Sequence, residues 1–124
     1  MNWNFHSDRP IYTQLIEQIT LAIVSGSFPP GDRLLSVREL SAEAGVNPNT
    51  MQRALSELER NGLIYTQRTS GRFITEDTAL IESAKSKLAT EQVTNFLTDM
   101  ERIGFQKEQI LQLVKQAIET WEEE

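Results

Sequence analysis

Apolar residues recur at helical spacing near the start of the chain. Ile11, Tyr12, Leu15, Ile19, Ala22 and Ile23 fall within about a third of a helix circumference at 100° per residue. Ser7 or Asp8 is placed to cap this helix, and Pro10 sits in its first turn, where a missing N–H costs nothing. Gly26 is the stop. Leu21 and Val24 lie off the main face, so the helix touches something on a second side. Residues 27–35, with Pro29-Pro30-Gly31, read as a turn plugged by Phe28. Ser36-Val37-Arg38-Glu39 has the form of a capping box and opens a short helix with Val37, Leu40 and Ala44 inward, ending at Gly45. Asn47-Pro48 is an N-cap followed by proline at the first helical position. The helix it opens carries Met51, Ala54, Leu55 and Leu58 on one face and stops at Asn61-Gly62. Two helices joined by a tight glycine-containing turn make a helix-turn-helix.

The period then changes. Leu63-Ile64-Tyr65-Thr66-Gln67 and Arg72-Phe73-Ile74-Thr75 are strand-like, and Arg68-Thr69-Ser70-Gly71 between them is a short polar turn. A hairpin directly after a helix-turn-helix is a wing. From Asp77 or Thr78 a long helix is expected to about Ile103. Its apolar face moves: Leu80, Ile81, Ala84 and Leu88 share one side, whereas Val93, Phe96, Leu97, Met100 and Ile103 lie about 130° round at the same 100° step. Gly104 breaks the helix and Phe105 plugs the corner. A last helix carries Ile110, Leu111, Leu113, Val114, Ala117, Ile118 and Trp121 on a wide apolar arc. Two helices cannot bury that surface between themselves, and such patches mark interfaces. The expected fold is mostly α with a small β wing. It comprises a winged helix-turn-helix over 1–76 and an antiparallel two-helix hairpin over 77–124 that dimerises. The interface residues expected are Phe96, Leu97, Met100, Ile103, Ile110, Leu113, Val114 and Ala117.

Charge changes the picture. The 124 residues hold 12 basic and 18 acidic side chains, a net charge of −6, which at first argues against a nucleic-acid partner. Divided along the chain, residues 1–76 carry seven basic groups, all arginine (Arg9, Arg33, Arg38, Arg53, Arg60, Arg68 and Arg72), against eight acidic ones. Residues 77–124 carry five basic groups, four of them lysine, against ten acidic. Arginine offers a planar fork suited to phosphates and guanine edges, whereas lysine suits solvated helix faces. Cysteine is absent, which excludes thiolate chemistry, and His6 as the lone histidine removes most His-based metal sites and catalytic dyads. No nucleophile–base pair, phosphate loop or metal spacing occurs; no enzyme activity, metal or cofactor is expected. No apolar run reaches the ~20 residues of a membrane helix, and MNWNFHSDRP does not resemble a secretory leader, so a cytoplasmic protein is expected. Trp3 and Phe5 are placed to dock on the domain or on a second copy, and Glu122-Glu123-Glu124 reads as a solvated end.

Opposite Met51, Ala54, Leu55 and Leu58, the second helix of the helix-turn-helix presents Asn49, Arg53, Ser56 and Arg60, with Gln52 flanking. Asn and Gln pair bidentately with adenine and Arg with guanine. Any solvated helix face is rich in such residues, but here the acids Glu57 and Glu59 fall on its flanks. Arg60 lies toward the C-terminal end, away from where recognition helices usually read.

Residues 9–74 resemble the GntR family of bacterial transcriptional regulators in the order and spacing of helix, turn and wing. The tail, with IGFQKEQILQLVKQAIE, is similar to the YtrA subfamily, whose C-terminal part is a dimerisation hairpin and not a large ligand-binding domain. The resemblance implies DNA contacts residue by residue. Arg38 matches the arginine after the family's Leu-Pro-Ser stretch, here Leu34-Leu35-Ser36; Ser36 keeps its place and its cap. Asn47, Asn49, Thr50 and Gln52 occupy the contact positions of the recognition helix. Many members have arginine where this chain has Pro48 and Gln52, which implies a different base set. The wing pattern Arg-Gly-x-Gly-x-Phe-Val appears as Arg68-Thr69-Ser70-Gly71-Arg72-Phe73-Ile74, with Thr69 replacing the first glycine. Arg68 and Arg72 would reach minor-groove or phosphate oxygens.

The expected function is a sequence-specific repressor that binds, as a homodimer, an inverted-repeat operator in double-stranded DNA. Its half-sites would lie one turn, ~34 Å, or a multiple apart. The alternative is a winged helix used for protein–protein contact, which the net charge favours. A groove between protomers could hold a small-molecule effector.

Overall fold

The computed structural model describes residues 1–122. In chain order it contains α1 (Ile11–Val24), α2 (Val37–Ala44), α3 (Pro48–Arg60), β1 (Ile64–Gln67), β2 (Gly71–Ile74), α4 (Thr78–Ile103) and α5 (Lys107–Glu119). The chain forms two compact units, Met1–Lys85 and Ser86–Glu124. The first runs past residue 76 because Leu80, Ile81 and Ala84, on the opening turns of α4, pack against its core.

That core follows from the apolar periodicities. Leu15, Ile19 and Ile23 of α1 meet Met51, Ala54, Leu55 and Leu58 of α3, with Leu40 of α2 and Leu63, Ile64 and Ile74 of the hairpin closing the sides. At about 1.5–3 kcal/mol per buried large apolar side chain, this cluster is the main stabilising term of the unit. The helix-turn-helix is set by local chemistry. Glu39 N donates to Ser36 Oγ at 3.1 Å, and Ser36 N donates to the Glu39 carboxylate at 3.2 Å. The Ser36 backbone N–H, and after it the Ser36 hydroxyl, hold the Glu39 carboxyl below its ordinary value. Gly45 takes φ +71°, the left-handed conformation that lets the chain leave α2 and turn at once into α3. Asn47 Oδ1 accepts from Asn49 N at 2.7 Å, and Pro48 occupies the first helical position.

Two expectations change, and one left open is decided. Neither Ser7 nor Asp8 caps α1; its N-cap is Pro10, which has no side-chain donor or acceptor. No side chain caps the first N–H groups; Gln14, a fully buried amide, instead ties the preceding segment to the helix. Its Oε1 accepts from His6 N at 2.7 Å, and its Nε2 donates to His6 O at 2.7 Å and Arg9 O at 2.9 Å. One turn on, Gln18 makes the same reciprocal pair with Asn4 N and O, at 3.2 and 2.6 Å. Four helical residues advance about 6 Å and two extended ones about 6.6 Å, so residues 4 and 6 fit the Gln14–Gln18 spacing. The second change is that residues 27–35 are not turn alone. Leu34 N donates to Arg72 O and Ile74 N to Asp32 O, both at 2.9 Å, bridging this segment to the free edge of β2. Its apolar content is too low to announce a strand. Of the two places open to them, Trp3 and Phe5 dock on their own domain. The rings stack with centroids 6.1 Å apart and pack against the core, and Trp3 Nε1 donates to Glu43 at 2.9 Å.

Candidate nucleic-acid interface

α3 is two-sided. Met51, Ala54, Leu55 and Leu58 are buried, while Asn49, Gln52, Arg53, Ser56 and Arg60 are exposed. Asn47 is exposed with its oxygen committed to the cap, Thr50 is half-buried, and Gln52 makes a long 3.4 Å bond to Ser56. Arg53 lies with Cζ 4.4 Å from the centroid of the Tyr12 ring on α1. Ser36 and Arg38, at the start of α2, are exposed, and the Ser36 hydroxyl is held by its cap.

The wing is a four-residue antiparallel pair in which Thr66 opposes Arg72 and Tyr65 opposes Phe73, the two rings stacking at 5.7 Å. Arg68, Thr69 and Ser70 form its exposed tip, closed by Ser70 N donating to Gln67 O at 3.1 Å. Gly71 has φ +107°, and a Cβ there would stand 3.2 Å from Arg33 Nε. Arg33 therefore joins the wing, although the polar sequence around it carries no signal of that. Arg72 faces inward: its Nε donates to Glu59 Oε1, which also accepts from Thr66 Oγ1 at 2.7 Å. Partial burial pushes the Glu59 carboxyl up, but the bonds from Arg72 and Thr66, with the Arg72 charge, outweigh it and hold the group below its ordinary value.

The arginines divide accordingly. Arg9 pairs with Glu17 at 2.7 Å, Arg60 with Glu57 at 3.5 Å, and Arg72 with Glu59. Among the described residues, Arg33, Arg38, Arg53 and Arg68 enter no ion pair and remain exposed cations. They sit before α2, at its first turn, on the face of α3 and at the wing tip.

Residues 11–74 match the family described as bacterial regulatory proteins, gntR family. The chain belongs to the GntR family. It is 41% identical over 93% of its length to the uncharacterized HTH-type transcriptional regulator YhcF of Bacillus subtilis, covering 95% of that protein. It is 38% identical over 89% of its length to the HTH-type transcriptional repressor YtrA of the same organism, covering 85% of it. A GntR family transcriptional regulator from Listeria monocytogenes superposes with a TM-score of 0.82 at 43% identity, over 90% of this chain and 98% of that one. AraR(DBD), solved in complex with operator ORX1, superposes with a TM-score of 0.55 at 26% identity, over 60% of this chain and 96% of that one. This GntR protein is thus a helix-turn-helix transcriptional regulator of the YtrA type, and its winged domain is the family's common part.

In the second unit of this GntR protein, apolar side chains stay in water. Phe96 (42% exposed), Leu97, Ile103 and Leu113 are exposed, as is Ala117, and Met100 and Val114 are half-buried. Ile110 differs from the other seven interface candidates: at 3% exposure it is already buried within the single chain. Phe96, Met100, Leu113, Val114 and Ala117 line an open groove continued by Ile118 and Trp121, which are 61% and 73% exposed. The width of the apolar arc on α5 was the signal for those last two. Glu122 is exposed, and Glu123 and Glu124 lie outside the described residues. No helix among the described residues is long and apolar enough to cross a membrane.

Proposed function

We propose that this regulator is a cytoplasmic repressor that binds an inverted-repeat operator as a homodimer. The observation that carries the reading is the division of α3, apolar face fully buried and Asn49, Gln52 and Arg53 turned to solvent beside a wing with a cationic tip. In this reading α3 enters the major groove, Asn49, Gln52 and Arg53 meet base edges, and Asn47 and Thr50 approach the backbone. Ser36 and Arg38 contact phosphates from the start of α2. Arg68, Thr69, Ser70 and Gly71 follow the adjacent backbone or minor groove, while Arg72 sets the wing against α3. The apolar groove of the second unit is the dimer surface, supported by its size on so short a helical pair. A small-molecule effector would act through the half-site spacing that the dimer imposes.

Selection from random duplexes, followed by mobility shift at two salt concentrations, tests the reading. A two-fold symmetric sequence should be enriched and its binding should weaken steeply with salt. Arg53→Ala should cost about 1–3 kcal/mol on that sequence and far less on random DNA. No enrichment at low salt would instead leave the winged helix as a protein-contact module.

A further inference from the structure

Tyr12 belongs to α1, outside the helix-turn-helix, yet it touches the exposed face of α3. Its ring is half-buried and packs against the core of the first unit, which makes it a fixed platform. The Arg53 guanidinium lies over that ring with Cζ 4.4 Å from the centroid. Among the described residues no ion pair engages Arg53, whereas Arg60, the other cation of α3, is paired with Glu57. A cation held against a ring face uses its charge and none of its N–H donors. The five donors of the fork stay available. Guanine, with acceptors O6 and N7 side by side on its major-groove edge, is the base a bidentate fork matches. A long side chain already restrained before binding also loses less freedom on complex formation.

We infer that Tyr12 is a positioning residue that presets the Arg53 guanidinium for one guanine of each half-site, so that α1 contributes to base specificity through α3. The inference rests on the DNA-reading function proposed above.

The test begins with the sequence that the wild-type protein selects from random duplexes. Affinities are then measured on that duplex, and on versions changed at each guanine, for wild type, Tyr12→Leu, Tyr12→Phe, Arg53→Ala and the Tyr12→Leu/Arg53→Ala double variant. Thermal midpoints serve as the control for folding. Tyr12→Leu should weaken the selected duplex about threefold, the scale of an exposed cation–π contact, and flatten discrimination at one guanine. Tyr12→Phe should keep that discrimination, because the ring remains. In the Arg53→Ala background, Tyr12→Leu should have no further effect. Equal weakening on every duplex, or additive losses in the double variant, would overturn the inference. Arg53→Lys keeps a cation without the fork and leaves the core untouched, so it tests the partner directly. Loss of preference at the same guanine supports the inference, and unchanged preference overturns it. A wild-type protein that enriches no sequence would overturn the DNA-reading function, and this inference with it, a result distinct from the others.

Discussion

Glu59, in the last turn of α3, accepts hydrogen bonds on one oxygen from both Arg72 and Thr66, so a single carboxylate grips a cross-strand pair of the wing. The hairpin has only four residues per strand, and two-stranded hairpins are marginal alone. Its angle to α3 therefore depends on what it is tied to. The bridge from residues 32–34 to β2 holds the outer edge, and Glu59 holds the inner face.

Glu59→Gln should destabilise the protein by about 1 kcal/mol at neutral pH, because Arg72 loses a charged acceptor in a partly buried position. The folded carboxyl lies below its ordinary value. Its contribution is therefore complete above about pH 4.3, the unfolded value, and is lost as pH falls through the depressed folded value. Denaturant midpoints of wild type and variant should differ most at neutral pH and converge in acid. A gap that widens in acid would show that Glu59 is not the anchor.

Gln14→Leu should release the N-terminal strap. His6 N–H and C=O and Arg9 C=O lose their partner, at a cost of about 1–3 kcal/mol. Amide exchange should accelerate at His6, and at Asn4 as Gln18 loses the neighbouring hold. Unchanged protection at both would mean that Trp3 and Phe5 pin the segment without Gln14.

Gly71→Ala places a side chain at φ +107° and against Arg33. A loss of about 1–2 kcal/mol is expected for an L-residue forced into that region. The wing tip should show the largest change in backbone chemical shifts, while α1 resonances stay in place.

Phe96→Glu and Leu113→Glu put charge into the exposed apolar groove of the second unit. Sedimentation should show monomers, with the first unit's thermal unfolding retained and operator affinity lost. A variant that remains dimeric would move the interface to another surface.

Much of the fold is legible in short windows because its signals act over a few residues. The Ser36–Glu39 capping box spans four positions, Asn47-Pro48 two, and Gly45 supplies its turn alone. The apolar stripes of α1 and α3 likewise report which faces are buried, since helical geometry fixes that from sequence spacing. Ser7 and Asp8 show the limit: both are good caps by type, yet neither caps α1, and Gln14 is used as a buried amide only because residues 4–9 fold back over the helix.

The amino-acid sequence by itself determined the winged helix-turn-helix, its exposed polar face, the caps of α2 and α3, and the apolar surface of the last two helices. All of these depend on spacing and on backbone preferences. Tertiary structure decided what each charged or aromatic side chain does. Arg72 went to Glu59, 13 positions away, Trp3 to Glu43, 40 positions away, and Arg53 to Tyr12. The physical reason is reach: an arginine or tryptophan is satisfied by whichever partner packing brings within a few ångströms, and that choice is settled only when distant segments share a core.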